Sequence, residues 1–138
     1  MPAIYEHEHA VRPDEVDLFG HVNNLAYVRW LQDAAVRHSA AMGWPMERYR
    51  AEDHGWVVRS HFVEYRQPAF ADQTIVVRTW VADMQRVTSL RKYEIVRPSD
   101  AALLVRAETN WAFVRMSDLK LTRIPEAVRE SFELHSGS

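Results

Sequence analysis

The chain has 138 residues, 47% hydrophobic and 26% charged, with a net charge of −2 and no cysteine. That length suits one domain with one core. The charge speaks against an electrostatically driven nucleic-acid binder, and the missing thiols exclude a disulfide scaffold, a zinc–thiolate site and a cysteine nucleophile. No apolar run approaches a membrane span, and the opening MPAIYEHEHAV has acids and histidines where a secretory signal needs basic and then apolar residues. A single cytoplasmic domain over residues 1–138 is therefore expected.

In chain order, a short strand is predicted over 4–12. Its Glu6-His7-Glu8-His9 run puts His7 and His9 on one side of the strand, a chelating spacing with no third ligand in evidence, so no metal site is assigned. A long helix follows over 24–42, where Leu25, Val28, Leu31, Ala35 and Met42 recur at helical spacing. Asn23 stands at the N-cap position, and Gly43 with Pro45 gives a stop. Tyr27, Trp30, Ala34, Ala40 and Ala41 make most of the circumference apolar, the pattern of a helix wrapped by something else. Asp33 is expected to pair with Arg29 or Arg37 one turn away.

Long strands are predicted over 56–67, 73–82, 87–97 and 103–116. In the second of these Ile75, Val77, Thr79 and Val81 share one face while Val76, Arg78 and Trp80 share the other. Glu64 is expected to pair with an arginine across the sheet. Turn residues at 67–72, 83–85 and 98–100 separate the strands, so the last three should form an antiparallel meander. Pro125 opens a closing helix to about 133, and 134–138 reads as a loose tail. The expected fold is α+β, a curved antiparallel sheet of about five strands wrapped around one long central helix, the hotdog arrangement.

The densest polar cluster, Asp17-Leu18-Phe19-Gly20-His21-Val22-Asn23-Asn24, precedes the long helix. Backbone N–H groups at a helix start and the helix dipole favour negative charge and can polarise a carbonyl. A carboxylate beside them can attack that carbonyl carbon or deprotonate a water. The same residues also make an ordinary Asx-rich turn capping a helix.

Asp17-x-x-Gly20-His21-Val22-Asn23-Asn24-x-x-Tyr27, running on into Val28-Arg29-Trp30-Leu31, resembles the signature of the hotdog-fold acyl-CoA thioesterases of the 4-hydroxybenzoyl-CoA thioesterase-like family, and also that of the related acyl-carrier-protein thioesterases. Tyr65-x-x-Pro68-Ala69 followed by Asp72, and Thr109-x-Trp111-x-Phe113-Val114 followed by Arg123-Ile124-Pro125, support the likeness over most of the chain. The resemblance implies Asp17 as the catalytic carboxylate, either nucleophile or general base, with the thioester oxygen held by N–H groups around Asn23 and Asn24. It implies that His21 orders the loop or contributes to the site, and that Tyr27 sits at the substrate end of the helix.

The substrate implied is an acyl-CoA, with coenzyme A part of the substrate and no separate cofactor. Arg86, Thr88 and Ser89 in the turn before the 87–97 strand are expected near the CoA phosphates, Arg86 first, with Arg91 and Lys92 behind it. Phe19 departs from the plant-type carrier-protein enzymes, which have Asn there, and this favours CoA over the carrier protein. A hotdog hydratase would show His-Phe-Pro or Asn-Pro-x-x-His, and neither occurs. A non-catalytic acyl-CoA-binding module remains the other alternative. One sheet around one helix leaves nothing to roof the site, so a homodimer or a tetramer built as a dimer of dimers is expected, with sites at the subunit interface.

Overall fold

The computed structural model describes residues 3–135. Strand β1 (Tyr5–Ala10) leads through a 3₁₀ turn (Pro13–Glu15) to helix α1 (Asn24–Ala41) and a short helix α2 (Met46–Ala51). Strands β2 (His54–Tyr65), β3 (Thr74–Val81), β4 (Thr88–Arg97) and β5 (Ala102–Arg115) follow, then a two-residue strand β6 (Lys120–Leu121) and helix α3 (Glu126–Ser131). The sheet is antiparallel in the order β1-β3-β4-β5-β2, with β6 added at the end of β5. This is the expected hotdog architecture, and β3-β4-β5 is the expected meander.

Helix α1 is bounded as its sequence requires. Asn23 Oδ1 accepts the Ala26 N–H at 2.9 Å, satisfying an orphan donor of the first turn. At the other end Trp44 N–H reaches Ser39 O and Gly43 N–H reaches Ala40 O, with Gly43 at φ 95°, a glycine-terminated close.

The buried face of α1 differs from the predicted stripe. Ala26, Tyr27, Trp30, Leu31, Ala34, Ala35 and His38 face the sheet, whereas Leu25 is 77% exposed. The large aromatics Tyr27 and Trp30 set the rotation of the helix, and Leu25 is carried outward with them. Half of the helix surface is open within one chain, so the sheet wraps one side only. Asp33 pairs with Arg37 at 2.8 Å, as expected for an exposed i,i+4 pair.

The concave face of the sheet presents Ile75, Val77, Ile95, Val105 and Ala107 to α1 and forms the main core. A second cluster of Trp44, Tyr49, Val81, Phe113, Ile124, Val128 and Phe132 closes the far end, under α2 and α3. Leu134 and His135, expected in the loose tail, are held instead: Leu134 bridges Val81, and His135 N–H donates to Val81 O. Residues 136–138 of that tail lie outside the described residues. Glu64 pairs at 2.8 Å with Arg66, just past the end of its own strand, and not with a cross-strand arginine.

Strand β2 has β5 on one side and, among the described residues, no strand on the other. Its twelve residues leave Val57, Val58, Phe62 and Tyr65 exposed along that edge. A long apolar edge of this kind is a template for pairing with another chain.

Candidate active site

The segment between β1 and α1 is a tight turn held by backbone bonds. Asp17 N–H donates to His21 O at 2.8 Å, Gly20 N–H donates to Asp17 O at 3.0 Å, and Val16 bridges Val22. Gly20 sits at φ 81°, where a side chain would strain the turn. Asp17 Oδ1 accepts the Phe19 N–H at 2.9 Å, an Asx turn that fixes the carboxylate and leaves Oδ2 without a hydrogen bond among the described residues. The carboxylate is solvent-accessible, and the same turn throws Leu18 and Phe19 outward, 101% and 84% exposed. The His21 ring stands edge-on to Phe70 at 5.0 Å, so its geometric work in this chain is done by the backbone carbonyl that holds Asp17.

Asn23 is fully engaged. Its N–H and its Nδ2 both donate to Glu15 O, at 2.9 and 3.0 Å, while its Oδ1 caps Ala26. That corrects the expectation that the Asn23 N–H could hold a substrate oxygen. Among the described residues, the first-turn N–H groups without a partner are those of Asn24 and Leu25, the positions where a helix start concentrates positive potential.

Glu15 organises this region, and the sequence reading passed over it. It is 3% exposed, and its carboxylate receives the Arg12 N–H (2.9 Å) and the Trp30 Nε1–H (2.8 Å), with His9 Nε2 at 2.8 Å. Burial pushes its pKa up, but these hydrogen bonds outweigh burial and hold it below the usual 4.5. One side chain thus ties β1, the 3₁₀ turn and α1 together directly under the Asp17 turn. A signal was present in the sequence, Pro13 opening a turn with Glu15 at capping-box spacing from Arg12. His9 is therefore committed to Glu15, and His7 lies 3.7 Å from Asp33.

Tyr27 is buried at 3% exposure. Its hydroxyl accepts the Ala69 N–H at 2.9 Å, and its ring packs on Trp30 and Tyr65. It anchors the loop after β2 to the helix, with both its hydroxyl and its ring engaged in that packing. Arg86 is exposed in the β3–β4 loop and Thr88 is half-buried beside it. Ser89 instead turns inward, 4% exposed, and donates to Asp83 O at 2.8 Å, so it is not available to a phosphate on the surface. Arg91 is likewise buried, at 6% exposure. These residues sit by the second core cluster, whereas Asp17 lies at the start of α1. Along α1, eleven residues separate Asn24 from Ala35 and fourteen separate it from His38, which Arg91 contacts, about 16–21 Å at 1.5 Å per residue.

A cavity of about 280 Å³ lies at that second end, between the later half of α1, α2 and the concave sheet. Trp44, Tyr49, Trp56 and Trp111 wall it, and the half-exposed Met46 and Met116 mark its rim. The strongly apolar wall is broken by Arg91, which hydrogen-bonds His38 and Thr79. Burial, and secondarily the Arg91 charge, drive the His38 pKa down to about 3, so its imidazole is neutral.

Comparisons with known proteins bear on this arrangement. A family model described as the thioesterase-like superfamily matches residues 11–132. A chloroplastic acyl-[acyl-carrier-protein] hydrolase of Cuphea viscosissima is 30% identical over 113 residues, covering 76% of this chain and 27% of its own length. This chain thus spans about a quarter of that plant relative. The 1,4-dihydroxy-2-naphthoyl-CoA thioesterase of Synechocystis superposes with a TM-score of 0.85 at 16% identity, over 93% of this chain and 94% of that one. A Staphylococcus aureus protein solved in complex with CoA superposes with a TM-score of 0.87 at 12% identity, over 93% and 80%.

Proposed function

The chain belongs to the thioesterase-like superfamily, and from that premise we propose that it hydrolyses an acyl-CoA thioester to a free carboxylic acid and CoA. The observation that carries the proposal is the Asp17 turn: an accessible carboxylate oxygen, Oδ2, beside a helix start with two N–H groups that have no partner among the described residues. The thioester oxygen accepts from Asn24 and Leu25, which stabilise the negative charge that develops there on attack. As general base, Asp17 takes a proton from water while the hydroxide oxygen bonds to the thioester carbon; the C–S bond then breaks and the CoA sulfur leaves with that proton. As nucleophile, Asp17 displaces the CoA thiolate to form a mixed anhydride, which water cleaves in a second step. His21 serves either route by holding Asp17 through its carbonyl.

CoA phosphates pair with the exposed Arg86, with Thr88 beside it. The cavity begins about 16 Å along α1 from the helix start beside Asp17, so a short acyl group with its thioester at Asp17 falls short of the cavity of its own copy. Antiparallel pairing of β2 with its symmetry mate about a two-fold axis removes the difficulty. It brings the His54 end of one β2 to the Tyr65 end of the other, and Tyr65 packs on Tyr27 at the helix start. The exposed apolar β2 edge supports this homodimer as the functional unit, with Asp17 of one copy serving the cavity of the other; a tetramer would be a dimer of such dimers. A cytoplasmic location is part of the same proposal.

The likeness to a plant carrier-protein hydrolase favours an acyl-carrier-protein thioester as the second reading. Thiol release from a panel of acyl-CoAs and matched acyl-carrier proteins tests both. Asp17→Asn, which keeps the Asx turn, should lower the rate by 10² to 10⁴-fold, roughly the range for a lost acid–base group. Undiminished thiol release by this variant would remove Asp17 from the mechanism.

A further inference from the structure

The mechanism above leaves the most unusual group in the molecule unused. Arg91 sits on the concave face of β4 at 6% exposure, and among the described residues no carboxylate lies within 4 Å of it. Its protein partners are neutral. Nη1 donates to His38 Nδ1 at 2.9 Å and to Thr79 Oγ1 at 3.0 Å. Thr79 gives its own proton to Lys92 O, so its oxygen can only accept from Arg91. Two of the five guanidinium N–H groups are thereby used, and those on Nε and Nη2 have no partner among the described residues.

Buried charges are normally paired, because taking an ion out of water costs several kcal/mol. Here desolvation pulls the Arg91 pKa down, against only weak support from the Tyr93 and Tyr49 hydroxyls. The cation lines the cavity, and so does His54, whose buried Nδ1 makes no hydrogen bond among the described residues. An apolar chamber with one uncompensated cation in its wall is complementary to an apolar ligand that ends in an anion.

Resting on the thioesterase reading above, we propose that the cavity takes the acyl group and that Arg91 selects one ending in a carboxylate, making the substrate a CoA monothioester of a dicarboxylic acid. The carboxylate fills the open fork of Nε and Nη2 in the bidentate geometry that guanidinium favours. A terminal hydroxyl would meet the hydrogen bonds but leave the charge uncompensated. In volume the cavity is nearly twice the ~150 Å³ that holds a benzene ring, room for a ring bearing a carboxylate or a chain of about eight carbons.

Two measurements test this separately from the parent reading. The first compares thiol release from octanoyl-CoA, 8-hydroxyoctanoyl-CoA and the CoA monothioester of octanedioic acid, by the unmodified protein. The carboxylate-ended substrate should have kcat/KM at least tenfold above both others, and Arg91→Gln should erase that ratio. Equal rates on the three substrates, or a ratio that survives in Arg91→Gln, would overturn the proposal. The second reads binding without catalysis, by quenching of the cavity tryptophans on titration with octanoate or its neutral isostere octanamide. Octanoate should bind at least tenfold more tightly, through Arg91; equal affinity overturns the proposal whether or not any thioester is hydrolysed. If octanoate is preferred but no thioester is cleaved, the carboxylate site stands and the thioesterase reading fails.

Discussion

Replacing Glu15 by glutamine keeps the shape of the side chain and removes its charge, which isolates what this buried carboxylate does. In the native chain one oxygen receives the Arg12 N–H, with His9 at 2.8 Å, and the other receives the Trp30 N–H. A glutamine has one acceptor oxygen and one NH₂. Whichever way the amide is turned, its NH₂ faces either the Trp30 donor or the Arg12 donor. The variant loses at least one charge-assisted bond and leaves a buried donor unpaired, a combined destabilisation of about 3–5 kcal/mol. Against a typical total of about 5–15 kcal/mol, that is a large fraction. Urea unfolding at pH 7, followed by tryptophan fluorescence, reads it directly. The carboxylate is held below 4.5 when folded, so its contribution is complete above pH 4.5 and is lost as pH falls through the folded value. Glu15→Gln should therefore also flatten the acid limb of the stability profile. A loss below about 1 kcal/mol at pH 7, smaller than a single net hydrogen bond of this kind, would refute the reasoning.

Three further outcomes are expected. His38 is neutral in the fold but protonates below about 6.5 once unfolded, so stability falls as pH drops from 6.5 towards 3, by up to about 1.4 kcal/mol per pH unit; urea midpoints at pH 7, 6 and 5 should fall in that order, and His38→Gln should be flatter. Leu31→Ala removes a fully buried side chain between helix and sheet and should cost about 2–5 kcal/mol, which thermal or urea unfolding measures. Lysines at Val57 and Phe62 on the open β2 edge should turn the proposed dimer into a monomer in light scattering after size exclusion, since edge lysines oppose strand pairing; a variant that stays dimeric would place the interface elsewhere.

The sequence by itself determined the order and kind of the main elements. Periods of 3.6 and 2 are local properties, and so are Asn23 as a cap, Gly43 as a stop, and the turn residues that part the strands. It also located the Asp17 turn, because that turn is built from residues within five positions of one another. It passed over α2 and β6, which are too short to show a period.

What faces what was decided only in three dimensions. Leu25 belongs to the apolar stripe by spacing, yet Tyr27 and Trp30 turn it outward, because burying two aromatic rings against the sheet outweighs burying one leucine. Asn23 offers an N–H by position and loses it to the Glu15 carbonyl. Ser89 and Arg91 read as surface groups near a phosphate and are instead inside, because strand alternation fixes which residues share a face but not which face is covered. The Arg91 contact to His38 joins residues more than fifty positions apart, a distance no local pattern carries, and the cavity exists only because α1, α2 and four strands enclose it together.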